Sequence, residues 1–181
     1  QLSLRWVHKS FHPPMPAWPR SDRMTFDRVN HVVVANTKAI FGSSADGSVR
    51  AVDADSGDIL WRFYTDGPVR FAPAVWRDCV FVASDDGHLY ALSLKDGQPI
   101  WKQRGGPDNS AVLGNQRLIS KWPARGGPVV VGDVVYFAAG IWPSDGIFLY
   151  ALDADSGKVL WCNDDSGEIY MPQPHGGANA E

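Results

Sequence analysis

Eight side chains of this chain have the chemistry to hold an anion together. Trp18, Trp122 and Trp142 offer indole faces. Arg104, Lys121 and Arg125 offer positive charge, and His12 and His175 offer imidazoles. Aromatic walls with facing cations suit a flat, negatively charged ligand. The same residues have a plainer use, in which the tryptophans pin long loops to a scaffold and the cations stay solvated. Residue types alone leave both uses open. Other constellations carry less. Asp53-Ala-Asp55-Ser-Gly57 and Asp153-Ala-Asp155-Ser-Gly157 look like calcium loops, but the glycine falls one position early. Tyr64 or Asp164 stands where the bidentate glutamate belongs. Turn chemistry accounts for both segments. His8 and His12 are four apart, but Pro13-Pro14 removes the helix that would align them. Cys79 and Cys162 are the only cysteines, and they read as two buried free thiols. There is no Gly-x-Ser-x-Gly elbow, phosphate loop or haem-attachment Cys-x-x-Cys-His. No catalytic residue and no metal ligand is assigned.

The elements that must position the eight residues come from an internal repeat. Asp46-Gly-Ser-Val-Arg-Ala-Val-Asp-Ala-Asp-Ser-Gly-Asp-Ile-Leu-Trp61 returns as Asp86-Gly-His-Leu-Tyr-Ala-Leu-Ser-Leu-Lys-Asp-Gly-Gln-Pro-Ile-Trp101. It returns again as Asp145-Gly-Ile-Phe-Leu-Tyr-Ala-Leu-Asp-Ala-Asp-Ser-Gly-Lys-Val-Leu-Trp161. Around each copy lie four short β-branched or aromatic runs separated by turn residues. In the third copy these are 128–131, 134–138, 148–152 and 158–161. Asp-Gly suits a tight hairpin and Gly157 a left-handed turn residue. The unit is a four-stranded antiparallel meander. Its third run is apolar almost throughout, as expected when both faces of a sheet are covered. No segment has a sustained helical period. A repeat near 40 residues built from such sheets predicts an all-β propeller, of which about three blades are present.

The string Tyr150-Ala-Leu-Asp-Ala-Asp-Ser-Gly-x-x-x-Trp161 resembles the tryptophan-docking repeat of the quinoprotein-like, PQQ-repeat propellers. That family includes PQQ-dependent alcohol dehydrogenases and the non-enzymatic B subunit of the outer-membrane barrel-assembly machinery (BamB). The resemblance implies that Trp61, Trp101 and Trp161 pack between adjacent blades, with Gly57, Gly97 and Gly157 at the turn. The second copy departs in having Ser93 where the others have Asp53 and Asp153. Its hydroxyl could still accept a turn hydrogen bond. Trp6 is a weak match to an earlier closing tryptophan, since Leu2 replaces the glycine four positions before it. The PQQ enzymes use adjacent cysteines, a calcium ion and a catalytic aspartate. No Cys-Cys pair is present here, and no aspartate can be matched to the catalytic one.

The chain is therefore expected to be a single partial propeller over 1–181. Residues 1–30 end a preceding blade and its loop, 31–66 form a blade, and 67–104 form a blade. Residues 105–126 are an insertion loop, 127–165 form a blade, and 166–181 lead toward a blade outside this chain. The numbering itself starts at Gln1, as in a processed chain or a fragment. The insertions fall where loops share one rim, and the two Arg-Gly-Gly sequences at 104–106 and 125–127 read as flexible entry and exit. Net charge is −3, so no basic field draws the chain to nucleic acid. No apolar run is long enough for a membrane helix. The reading reached is a non-catalytic interaction or assembly scaffold that needs no cofactor. Its partners would be the remaining blades and a protein at the loop-rich rim. The alternative is a fragment of a PQQ-dependent alcohol or sugar dehydrogenase carrying PQQ with calcium. By resemblance, either would be exported, periplasmic or membrane-associated.

Overall fold

Short runs of Val, Ile, Phe, Tyr and Trp broken by Gly and Asp can satisfy their backbone only by pairing with near neighbours in sequence. The computed structural model describes residues 3–18, 30–114 and 116–164. Its first sheet comprises β1 (Val32–Ala35), β2 (Lys38–Gly42), β3 (Ser48–Asp53) and β4 (Ile59–Tyr64). The second comprises β5 (Ala74–Trp76), β6 (Cys79–Ala83), β7 (His88–Ser93) and β8 (Pro99–Arg104). A separate hairpin follows, β9 (Ala111–Gly114) with β10 (Arg117–Ser120). The third sheet comprises β11 (Val129–Val131), β12 (Val134–Ala139), β13 (Phe148–Asp153) and β14 (Val159–Asn163). Each four-stranded sheet is an antiparallel meander in sequence order. β5 lies beside both β1 and β11, so the first strands are the inner ones and the sheets stack as three propeller blades.

Each blade carries an irregularity at the same place. The register slips between Ala51 and Val52, between Ala91 and Leu92, and between Ala151 and Leu152. The residue just before each slip pairs with the closing tryptophan of the fourth strand. A bulge there re-aims that side chain out of its own sheet and toward the next. The Trp61 indole Nε1 donates to the Leu94 carbonyl at 3.1 Å, and Trp101 donates to the Ala154 carbonyl at 3.2 Å. Both rings lie flat over a turn glycine. A Cβ on Gly97 would come within 2.6 Å of Trp61, and one on Gly157 within 2.6 Å of Trp101. Both glycines also sit at positive φ, 73° and 71°. Any other residue would therefore meet strain and a clash together. Trp61 anchors one core cluster with Ile40, Val80, Val82 and Leu92, Trp101 packs on a second around Phe81 and Val135, and Trp6 packs on a third with Ala39, Phe41 and Val52.

Two expectations change. Trp6 docks like the others despite its poor sequence match: its Nε1 donates to the Ala54 carbonyl at 3.0 Å, and its ring covers Gly57. The docking geometry needs only the ring and the seat, not a glycine before the tryptophan. Trp161 is not buried but 44% exposed, because each closing tryptophan finds its seat on the following blade. Among the described residues no further turn glycine follows it. The turns behave as turn chemistry requires. Asp53 Oδ1 accepts from the backbone N–H groups of Asp55 and Ser56. Ser93 in the second copy instead bonds the Asp96 side chain.

Candidate functional site

The connections entering each blade are stitched to the β-corners by backbone hydrogen bonds. Val69 N–H donates to the Ser43 carbonyl, and Ala124 N–H donates to the Ser84 carbonyl. The Pro68 carbonyl accepts from Asp85 N–H, and the Pro123 carbonyl accepts from Gly140 N–H. Pro68-Val69-Arg70 and Pro123-Ala124-Arg125 are thus equivalent, although the insertion hides this in sequence. The shared pattern is Pro-x-Arg-x-x-Pro, ending at Pro73 and Pro128. It is the signal that could have picked out Arg70.

These two arginines converge on one buried carboxylate. Asp85, in the corner between β6 and β7, is 1% exposed. Arg125 grips it with two bonds, Nε to Oδ1 at 3.0 Å and Nη2 to Oδ2 at 2.9 Å. Arg70 Nε donates to Oδ2 at 2.7 Å, and Arg70 Nη1 donates to the Met15 carbonyl at 2.8 Å. Fork-shaped pairing of this kind is the strong form of ion pair. The corresponding corner residue is Ala45 in the first blade, so the clasp belongs to the second blade. Sequence reading missed Asp85 because the adjacent Asp86 looked like plain turn chemistry. Asp86 in fact accepts from the Tyr90 hydroxyl at 2.7 Å and from His88. Burial raises the pKa of its carboxyl, but those bonds outweigh burial and hold it below the usual range.

Three segments meet above this clasp. Residues 12–18 cross the first corner, where Met15 N–H donates to Ser44 Oγ at 2.9 Å. They bring Trp18 edge-on to Trp142, with ring centroids 5.8 Å apart. The insertion, expected as a loop, forms the β9–β10 hairpin because Val112 and Leu113 pair across from Ile119 and Leu118. Arg117 reaches back to the Ala45 carbonyl of the first blade. Lys121 bonds Asp145 at 3.0 Å. Together these surround a cavity of about 300 Å³, lined by Trp18, Leu113, Ile119, Lys121, Arg125 and Trp142 among others.

Of the sequence candidates, Trp18, Lys121, Arg125 and Trp142 therefore share one site. The others do not join it. Trp122 is buried, lies over Gly106 and donates its Nε1 to the Asp145 carbonyl. It staples the insertion to the third blade rather than walling a pocket. Arg104 turns back on its own loop, bonding the Gly106 and Pro107 carbonyls and Asn109. His12 lines a separate groove with Pro13, Pro14, Met15 and Arg117. His175 lies outside the described residues. The Arg-Gly-Gly at 104–106 is no flexible entry, since Gly105 and Gly106 are buried against Ala139 and Trp122. At 125–127, Gly126 does have open space around it, while Gly127 faces the Ala72 carbonyl.

Asp85 is spent on two arginines and Asp145 on Lys121. Among the described residues no three His, Cys, Asp or Glu side chains converge where a metal ion could sit.

The family profile described as outer membrane protein assembly factor BamB matches residues 45–175. BamB of Yersinia pestis is 33% identical over 142 residues, covering 71% of this chain and 34% of that protein. Quinohemoprotein alcohol dehydrogenase ADH IIB of Pseudomonas putida is 31% identical over 137 residues, covering 67% of this chain and 18% of that protein. This chain thus spans between 18% and 34% of these two relatives' lengths. In fold, it superposes on BamB from Moraxella catarrhalis with a TM-score of 0.56 at 18% identity, covering 82% of this chain and 39% of that one.

Proposed function

Since the chain belongs to the PQQ-repeat propeller family described as outer membrane protein assembly factor BamB, we propose that it serves as a non-catalytic interaction scaffold. Its blades hold a rim that meets a protein partner, in an exported, periplasmic setting like that implied by its BamB relative. The observation that carries this reading is the β9–β10 hairpin. It interrupts only one of the described blade connections, and it leaves Val112, Leu113 and Leu118 exposed, the first two beside Trp18 and Trp142. Clustered exposed apolar side chains on a rigid rim suit a protein interface. At the cavity itself Asp145 is engaged with Lys121, and beneath it Asp85 is engaged with two arginines.

The rival is a segment of a PQQ-dependent dehydrogenase, supported by the similarity to ADH IIB. Titrating PQQ with calcium into the full-length protein, while following tryptophan fluorescence, separates the two. The scaffold reading expects no saturable quenching up to about 50 μM quinone. Saturable quenching that disappears in Arg125→Gln would overturn it.

A further inference from the structure

The cavity above the clasp combines an apolar wall with cations at one end. Trp18, Val112, Leu113, Ile119, Ile141 and Trp142 supply the wall. Leu113 is 76% exposed and Trp18 is 45% exposed. At the other end Arg125 commits Nε and Nη2 to Asp85, and its Nη1 has no partner among the described residues. Lys121 lies beside it, with one bond to Asp145 and its ammonium 5.2 Å from the Trp122 ring centre. A volume of about 300 Å³ lies at the small end of ligand pockets, the size for one anchoring side chain. Desolvated aromatic and arginine positions are also where binding energy concentrates in protein interfaces.

We propose that this cavity is the anchor site of the scaffold, and that it takes an extended peptide segment of a partner protein carrying a carboxylate next to a large aromatic side chain. The aromatic ring packs against the Trp18–Trp142 pair and Leu113, and the carboxylate lies against Arg125 and Lys121. The choice of an acidic rather than a basic segment follows from charge complementarity: two cations and one carboxylate, Asp145, line the cavity. The proposal rests on the scaffold reading.

The test uses the full-length protein and a fluorescein-labelled decapeptide with a central Asp-Phe in a Gly-Ser background, read by anisotropy. Asn-Phe and Asp-Ala versions serve as comparisons. The Asp-Phe probe should bind saturably, about tenfold more tightly than either comparison. Its affinity should fall as salt rises. Lys121→Ala should weaken it about tenfold, and Leu113→Asp and Trp142→Ala should abolish it, while Leu60→Ser on the exposed outer strand of the first blade leaves it unchanged. Leu113 is exposed, so its variant keeps the fold, which circular dichroism checks.

Equal binding of the Asn-Phe probe overturns the proposal, as does binding retained in Leu113→Asp. Self-association that Leu113→Asp dissolves, with no peptide binding, assigns the surface to a second copy and also overturns it. Failure of the probe together with failure of PQQ to bind sinks this pocket but leaves the scaffold reading intact. Saturable PQQ binding sinks the scaffold reading itself.

Discussion

Trp61 and Trp161 occupy equivalent sequence positions and opposite surroundings. Trp61 is 6% exposed, over Gly97 and between two blades, whereas Trp161 is 44% exposed. Trp61→Ala should cost about 3–5 kcal/mol by the usual penalty for truncating a core aromatic. Trp161→Ala should cost about 0.5 kcal/mol, as at a surface site. Urea titration of the two variants checks this, and similar losses would contradict the docking rule. Asp85 is the other decisive residue. Removing its carboxylate in Asp85→Ala leaves Arg70 and Arg125 facing each other in a buried site. That should cost about 3–5 kcal/mol, the range for breaking a buried ion pair from one side. Thermal unfolding that is unchanged by Asp85→Ala would show that the clasp holds nothing together.

At the scale of elements, the strap formed by residues 3–12 should respond to pH. It is held by Trp6 in its seat and by His8, which stands edge-on to Phe41 at 5.3 Å. Burial first, then the charges of Arg50 and Arg62, push the His8 pKa below its ordinary 6.5. The Arg50 guanidinium is itself buried, with its Nη2 on Asp46. Burial alone would raise the Asp46 pKa, but bonds from Ser48 and Ser43 and the Arg50 charge hold it at about 2, so it stays ionised. In the unfolded or undocked strap His8 takes up a proton near 6.5, while in the docked strap it resists until lower pH. The strap is therefore fully held above that value and loosens as pH falls below it. Protection factors for hydrogen exchange over residues 3–12, taken relative to the unfolded-chain rate at each pH, should fall between neutral pH and the lowered value, and His8→Phe should flatten the response. Protection factors that stay constant over that window would refute it.

The same scale explains what the sequence revealed and what it hid. The twelve blade strands were legible because each pairs with its sequence neighbour and its turns carry Asp-Gly or an isolated Gly. The hairpin at 111–120 was not, because its four-residue strands lie among Gly, Pro and Asn and match no repeat. Trp18, Lys121, Arg125 and Trp142 could be named from residue type and loop position, yet their meeting point depends on a crossing of three connections that no local pattern encodes. Trp122 looked like a rim residue for the same reason. Its partners, Gly106 and the Asp145 carbonyl, lie 16 and 23 positions away. The Arg70–Asp85–Arg125 clasp was hidden by the insertion that shifts Arg125 out of register with Arg70.

For the whole molecule, the three described blades fill their turn-glycine seats with Trp6, Trp61 and Trp101 and leave Trp161 without one. Trp161 projects from the outer strand of the last described blade, together with Leu149, Val159 and Leu160, all exposed. In the interfaces made by Trp61 and Trp101 the indole is covered by a following blade, whose turn supplies a carbonyl acceptor three residues before a glycine at positive φ; Val49 and Leu89, which match Leu149, are fully buried there, while Leu60 and Ile100, which match Leu160, stay about half exposed. A propeller surface of this kind is adhesive, because an indole, a row of apolar side chains and an unpaired strand edge lie together. The 181-residue chain on its own is therefore expected to associate in a concentration-dependent way. Trp161→Glu should weaken that association by placing a charge where a dry contact must form, while leaving Trp61 and Trp101 in their seats. Extending the chain by one further repeat should suppress it more completely, since the added turn would occupy the indole. Sedimentation velocity across about a hundredfold range of concentration distinguishes the cases. A chain that remains monomeric throughout, with Trp161 still exposed, would mean that the last blade face is stable in water and that the docking rule stops at the second interface.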